Sequence, residues 1–106
     1  MRLTSEQKNQ IYEVVLRFMK EMSFELFLYG SRVNENLKGG DIDLLIVTNE
    51  LGVKSFEENH LSLLVQLKKQ SAIGQRHIDI KACTVHELDR DPFLMSISKG
   101  MVKLEI

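Results

Sequence analysis

The sequence feature that most constrains the fold is an apolar run that opens with two acids, Asp41 to Val47. Apart from Asp41 and Asp43 the run is wholly apolar, as expected of a strand that is covered on at least one face. Because side chains of a strand alternate between the two faces of a sheet, Asp41 and Asp43 are expected on one face and Ile42 on the other. The run therefore predicts a strand that holds two carboxylates side by side at its beginning.

A glycine and a serine precede this strand at a short distance. An apolar and aromatic run over residues 24–29 ends at Gly30, and the nine residues 32–40 separate Ser31 from Asp41. Glycine lets the backbone approach a ligand closely, and Ser31 could open a short helix whose free N–H groups face an anion. Taken alone, the pair is more simply a strand-to-helix turn with a serine N-cap. Together with the two acids, it predicts a phosphate site.

The paired acids also predict a metal ion. Two carboxylates at this separation raise each other's pKa unless a cation lies between them. Hard oxygen ligands without a nearby pair of histidines or cysteines favour Mg²⁺ or Mn²⁺ over zinc. A phosphate site beside such a metal predicts a nucleotide ligand. The simpler alternative, a solvated strand entrance, fits poorly with the apolar surroundings.

Capping signals and apolar periodicity predict two long helices. The first covers about residues 5–22 and the second about residues 56–70, the latter after a turn over residues 49–54. Each is expected to begin with a capping box, in which two side chains three positions apart satisfy free backbone N–H groups. The residues of the two boxes are Thr4 with Gln7 and Ser55 with Glu58. The apolar stripe predicted for the second helix consists of Leu61, Leu64, Val65 and Lys68, widened by Leu63 and Leu67.

Alternating polar and apolar residues over 77–84 predict a third strand. On it Ile78 and Ile80 are expected on one face, and His77, Asp79 and Lys81 on the other. Taken alone, Asp79 could simply pair with Lys81 or Arg76. The remaining predicted elements are short helices from Thr84 and from Asp91, and an apolar segment over 101–106 that completes the sheet or forms a docking surface. The predicted fold class is α/β (α+β), with a small mixed β-sheet flanked by helices.

The glycine–serine pair and the acids together match a known family pattern. Gly30-Ser31, nine intervening residues, Asp41-Ile42-Asp43 and a later strand bearing Asp79 resemble the nucleotidyltransferase superfamily that includes DNA polymerase beta and kanamycin nucleotidyltransferase. The short chain is similar, more narrowly, to the minimal nucleotidyltransferases, which are little more than a catalytic core. The resemblance implies that residues 1–106 form a single domain of this kind.

The resemblance also implies roles for individual residues. In that family the Gly-Ser turn holds the triphosphate and three acids bind two divalent metals. Carried over to this sequence, Gly30 and Ser31 bind the nucleotide, and the catalytic metal ligands are Asp41, Asp43 and Asp79. Arg32 follows the turn directly and is a further candidate for a triphosphate contact. Two metal ions about 3.5–4 Å apart clamp the attacking and leaving oxygens of a displacement, and Asp79 is the candidate base.

The reaction of the family moves a nucleoside monophosphate onto a hydroxyl and releases pyrophosphate. Some members are antitoxins that place AMP on a helical HEPN-type toxin, so the resemblance implies AMP transfer from ATP to a helical partner protein within a toxin–antitoxin pair. Two alternatives stay open. One is a catalytically idle antitoxin or adaptor that masks such a partner by contact. The other is modification of a small molecule of the aminoglycoside type, for which a homo-oligomer could supply further substrate contacts.

The composition bounds the remaining possibilities. Hydrophobic residues make up 43% of the chain and the net charge is −1, so no basic surface points to a nucleic-acid partner. The single cysteine, Cys83, excludes an internal disulfide and suits a reducing compartment. No stretch approaches the roughly 20 apolar residues that span a bilayer. We therefore expect a cytoplasmic protein without a membrane segment.

Overall fold

A computed structural model describes residues 3–20, 22–30, 42–73 and 76–105. Within these ranges a four-stranded mixed sheet is flanked by helices, which confirms the predicted fold class. The elements in chain order are α1 (Ser5–Met19), β1 (Phe24–Tyr29), β2 (Ile42–Thr48), α2 (Glu50–Lys68), β3 (Ile78–Cys83), α3 (Val85–Leu88), α4 (Pro92–Ser98) and β4 (Val102–Leu104). None of the helices in the described ranges is long and apolar enough to cross a membrane.

The sheet combines antiparallel and parallel pairs in the order β3-β2-β1-β4. Strand β1 runs antiparallel to both β2 and β4, whereas β2 and β3 are parallel. Two parallel neighbours need a crossover connection, which α2 provides. As a result, the carboxyl end of β1 and the amino ends of β2 and β3 meet at the same end of the sheet.

The two faces of the sheet are covered unequally. The face toward α1 and α2 carries the larger apolar cluster, which includes Ile42, Leu44 and Ile46 of β2. The opposite face carries a smaller cluster, in which Leu45 and Val47 pack with Tyr29, Cys83 and, from α4, Leu94. The strict alternation along β2 and β3 is the one that the sequence predicts. The polar ends of these strands therefore lie on the face that has the thinner cover.

Helix α1 agrees with its prediction at the beginning and is shorter at its end. The Thr4 side chain accepts from the Gln7 N–H at 3.0 Å and the Gln7 side chain accepts from the Thr4 N–H, which confirms the capping box. The helix ends at Met19 rather than at residue 22, because Lys20 adopts a positive φ of 55°. Met22 nevertheless packs against the larger cluster.

Helix α2 begins six residues earlier than predicted, so both the predicted turn over 49–54 and the predicted start at Ser55 are wrong. Its N-cap is Asn49, whose side chain accepts from the Gly52 N–H at 2.8 Å. A Cβ at Gly52 would collide with the Thr48 side chain. Gly52 therefore serves the close packing of the first helical turn against the end of β2, and it does not make a turn.

The predicted apolar stripe of α2 is confirmed at Leu63, Leu67 and, in part, Leu64, and it is wrong at Leu61 and Val65. The buried side of the helix carries Phe56, Leu63 and Leu67, whereas Leu61 and Val65 of the predicted stripe are exposed. Most positions between 61 and 67 are apolar, so the periodicity of that segment alone does not select a face. The tertiary contacts of Phe56 and Gly52 select it, and Gly52 belongs to the helix only because the helix begins at residue 50.

The last elements follow the predictions. The capping box of Thr84 and Glu87 starts α3, and the Asp91 side chain accepts from the Phe93 and Leu94 N–H groups at the start of α4. The apolar segment near residue 101 completes the sheet as β4, where Leu104 is buried. Of the two roles predicted for that segment, the structure shows the first.

Candidate active site

Three polar side chains lie next to one another at the end of the sheet where β1 ends and β2 and β3 begin. Tyr29 is the register partner of Asp43 across the antiparallel pair, and Asp43 is the register partner of Asp79 across the parallel pair. Register partners on neighbouring strands project from the same face, and such strands lie about 4.8 Å apart. The topology thus forms a row of one phenol and two carboxylates from three strands.

Gly30 directly follows β1, and its backbone lies against Asp43, the middle residue of this row. Its φ is 77°, in the left-handed region that glycine adopts without steric cost. A Cβ on Gly30 would collide with the Asp43 carboxylate and would lie 3.3 Å from Asp43 Cγ. The backbone at Gly30 therefore lies directly against the Asp43 carboxylate, whereas the predicted close approach to a ligand stays a prediction.

Asp79 is paired with the cation that follows it on the same face of β3. Lys81 Nζ lies 3.3 Å from Asp79 Oδ1 and 3.2 Å from Oδ2. The side chains of Lys81 and Asp79 are 38% and 44% exposed, so water screens the pair and its contribution to stability is about 0–1 kcal/mol. Lys81 Nζ also lies 5.8 Å from the centre of the exposed Phe93 ring of α4. These contacts keep a positive charge at the rim of the acidic row.

Tyr29 lies at the buried end of the row. Only 6% of the residue is exposed, and its hydroxyl is buried without a hydrogen-bond partner among the described residues. Burial raises the pKa of Tyr29, and the negative charges of Asp79 and Asp43 raise it further. The phenol is therefore neutral and is a hydrogen-bond donor that faces two acceptors.

The donor set of this end of the sheet fits a hard divalent cation. Asp43 and Asp79 offer carboxylate oxygens in adjacent register, the ligand type that Mg²⁺ and Mn²⁺ prefer. In the ranges that the structure describes, no group of three or more His, Cys, Asp or Glu side chains is placed to hold an ion. The third predicted ligand, Asp41, lies outside those ranges. The buried Tyr29 hydroxyl has no hydrogen-bond partner among the described residues, which is a second observation in favour of a ligand at this end of the sheet.

Of the six site residues predicted from sequence, three lie in the described ranges and are brought together there: Gly30, Asp43 and Asp79. The other three, Ser31, Arg32 and Asp41, lie outside the described residues, and their roles stay predictions. The sequence pattern does not predict that the Tyr29 hydroxyl lies beside the acids. The position of Tyr29 immediately before Gly30 is the one signal that could have indicated this placement. Nothing in the sequence pattern brings Phe93 to this site.

Comparisons with known proteins agree with this architecture. A crystal structure of a candidate nucleotidyltransferase from Sulfolobus solfataricus superimposes with a TM-score of 0.51 and 19% sequence identity, over 92% of this chain and 81% of that one. At that identity the similarity shows the fold alone. No curated protein sequence matches the chain. The sequence profile of the nucleotidyltransferase domain family matches residues 10–104, which is most of the chain. The protein therefore belongs to the nucleotidyltransferase domain family.

Proposed function

We propose that this protein transfers a nucleoside monophosphate, AMP from ATP, onto a hydroxyl group in a reaction that depends on Mg²⁺ or Mn²⁺. The observation that carries the proposal is the register pairing of Asp43 with Asp79 beside the Gly30 turn. Two acids on adjacent strands, with backbone packed against one of them, are a suitable site for a divalent ion and the phosphates that it binds.

The chain's own residues have separate tasks in this reaction. Asp43 and Asp79, with Asp41 as the third predicted ligand, would hold the metal, which supplies charge neutralisation at the phosphoryl oxygens when bound. The acceptor oxygen bonds to the α-phosphorus of ATP while the bond from that phosphorus to the β-phosphate bridging oxygen breaks, which releases pyrophosphate. The hydroxyl proton passes to the Asp79 carboxylate. Gly30 and the adjacent Ser31 and Arg32 are the proposed contacts to the triphosphate.

We propose a protein side chain as the acceptor. Asp79 and Lys81 lie at the rim of the site with more than a third of each side chain exposed, so a hydroxyl on the surface of a large molecule can approach Asp79. The resemblance to minimal nucleotidyltransferases supports a helical HEPN-type protein as this partner, in a toxin–antitoxin pair.

The proposed activity is tested by Asp43→Asn. With [α-³²P]ATP, Mg²⁺ and the co-expressed product of the neighbouring gene, we expect the wild-type protein to label that product. Asp43→Asn keeps the size of the side chain but removes its charge. Because loss of an outer-shell group alone costs about 10–100-fold in metal affinity or activity, we expect the variant to lose at least about 100-fold.

The matched control is Asp89→Asn, which makes the same substitution at an exposed residue after α3. It should label the partner at the wild-type rate. Equal labelling by Asp43→Asn would contradict the assigned site. Absence of labelling by the wild-type protein, combined with neutralisation of the partner by Asp43→Asn, would favour the catalytically idle adaptor instead.

A further inference from the structure

We infer that Tyr29 is a positioning residue of the acidic site and that its buried hydroxyl donates a hydrogen bond to Asp79 when a divalent cation is bound. This inference rests on the proposed function, because it concerns how the metal-binding carboxylates are held. It assigns to Tyr29 a task beyond its packing in the smaller apolar cluster.

A buried hydroxyl without a hydrogen-bond partner lowers the stability of the protein. The Tyr29 oxygen is fully enclosed and has no hydrogen-bond partner among the described residues. Leaving a buried donor unsatisfied costs about 1–3 kcal/mol, and folded proteins satisfy the large majority of such groups. A hydroxyl kept at this position is therefore expected to find a partner in another state of the site.

The acceptors available to the Tyr29 hydroxyl are carboxylates. The aromatic ring of Tyr29 belongs to a cluster with Leu45, Cys83 and Leu94, which offers the hydroxyl little to bond. The charges of Asp79 and Asp43 raise the pKa of Tyr29, with Asp79 the stronger of the two, and Asp79 also acts on the hydroxyl as a weak acceptor at a geometry short of a full hydrogen bond. The acceptor for the phenol hydrogen is therefore expected among the carboxylates of the site.

Asp79 has capacity for several partners. An ionised carboxylate offers about four lone-pair positions on its two oxygens. Lys81 approaches both oxygens from the exposed rim, at 3.2 and 3.3 Å. Tyr29 lies at the buried end of the row, so donation from it leaves positions for a cation. A carboxylate that accepts hydrogen bonds on both sides is already restricted in orientation. It therefore loses less conformational entropy when it binds a metal.

Packing alone does not account for the hydroxyl. Phenylalanine would fill the same space beside Leu45 and Leu94 without burying a polar atom. If Tyr29 only packed, Tyr29→Phe would leave metal binding unchanged and would be neutral or slightly stabilising, because it removes an unsatisfied group. A positioning role predicts a different pattern, in which metal affinity falls while stability does not.

The first test measures Mn²⁺ affinity by electron paramagnetic resonance of the free ion, together with thermal unfolding of the metal-free protein. We expect Tyr29→Phe to bind Mn²⁺ about 10–100-fold more weakly than wild type, the usual loss for a group that supports a metal ligand. The midpoint of thermal unfolding should not fall. The matched control is Tyr12→Phe, because Tyr12 packs with Phe24, 5.9 Å between ring centres, beside the larger cluster on the other face.

The second test keeps Tyr29 intact. The chain has two tyrosines and no tryptophan, so Tyr12→Phe leaves Tyr29 as its single tyrosine. We expect Mg²⁺ to change the near-ultraviolet absorption and fluorescence of that single-tyrosine protein, since the hydroxyl acquires a carboxylate partner. The same titration in an additional Asp43→Asn background should give no change.

The outcomes separate this inference from the proposed function. Wild-type Mn²⁺ binding with equal affinity in Tyr29→Phe would overturn the positioning role and leave the metal site standing. A parallel loss of affinity and stability in Tyr29→Phe, without a Mg²⁺-dependent change in the single-tyrosine spectrum, would overturn the positioning role and show that the hydroxyl supports the fold in general. Absence of Mn²⁺ binding by the wild-type protein would overturn both proposals.

Discussion

Gly30 shows how strongly single residues define this site. The Asp43 carboxylate occupies the space that a Cβ at Gly30 would need. The conformation of the turn and the orientation of the acid are therefore coupled at one residue. A change at Gly30 affects the fold and the site at once.

We expect Gly30→Ala to destabilise the protein and to weaken metal binding. A non-glycine residue at a φ of 77° costs about 1–3 kcal/mol, and the added Cβ displaces the Asp43 carboxylate. Urea unfolding measures the first effect and Mn²⁺ titration the second. Gly100→Ala is the control, because a Cβ there meets no atom within 4 Å and its φ is not positive. Equal stability of the two variants would refute the packing argument at Gly30.

At the residue scale, the sequence predicted those parts of the site that depend on alternation within one strand. Asp43 and Asp79 could each be assigned to a face because neighbouring apolar residues mark the opposite face of the same strand. The position of the Tyr29 hydroxyl depends on the register between β1 and β2, which pairs Tyr29 with Asp43. That register is a pairing between two separate strands, and no local pattern within either strand encodes it.

At the element scale, α2 shows how the beginning of a helix determines which face is buried. Two capping signals compete within seven residues, Asn49 and Ser55, and a glycine between them resembles a turn. The helix uses the earlier cap, where Gly52 packs against Thr48, and it buries Phe56 while Leu61 is exposed. Local signals predicted that a helix exists here, but the contact between Gly52 and Thr48, which sets its beginning, is tertiary.

Substitutions at the two competing caps test this description of α2. Asn49→Ala removes the side chain that accepts from the Gly52 N–H, and loss of such a cap costs about 0.5–2 kcal/mol. Ser55→Ala lies inside the helix, where alanine is the better helix former, so we expect no loss of stability. Urea unfolding of both variants measures the difference. A larger loss for Ser55→Ala would place the beginning of the helix at residue 55 after all.

At the scale of the whole molecule, the two layers that cover the sheet differ in thickness. None of the four residues of α3 is buried, and Leu94 is the one buried residue of α4. The layer over the other face rests on a much larger apolar cluster contributed by α1 and α2. Since local stability follows buried apolar contact, the layer beside the candidate site is expected to open first.

Cys83 can report this opening, because it is the single cysteine of the chain and it is buried beneath α4 in the smaller cluster. Burial, followed by the charges of Glu87 and Asp91, raises the pKa of Cys83 to about 11, so the closed protein presents little thiolate at neutral pH. In a urea series we expect thiol labelling to begin at lower urea than the loss of circular dichroism, and Leu94→Ala to widen that gap. Coincidence of the two transitions would show that both layers open together.

The lysines on the outer strands have a consequence for colloidal behaviour. In the described part of the chain, β3 and β4 are the edges of the sheet, with Lys81 on one and Lys103, paired with Glu25 at 3.1 Å, on the other. Charged side chains on edge strands oppose the addition of strands from other molecules and so limit aggregation. Lys81 therefore opposes strand addition at the β3 edge of the sheet and also contacts Asp79. A neutral residue at position 81 would alter self-association together with the site, and light scattering is needed to separate the two effects.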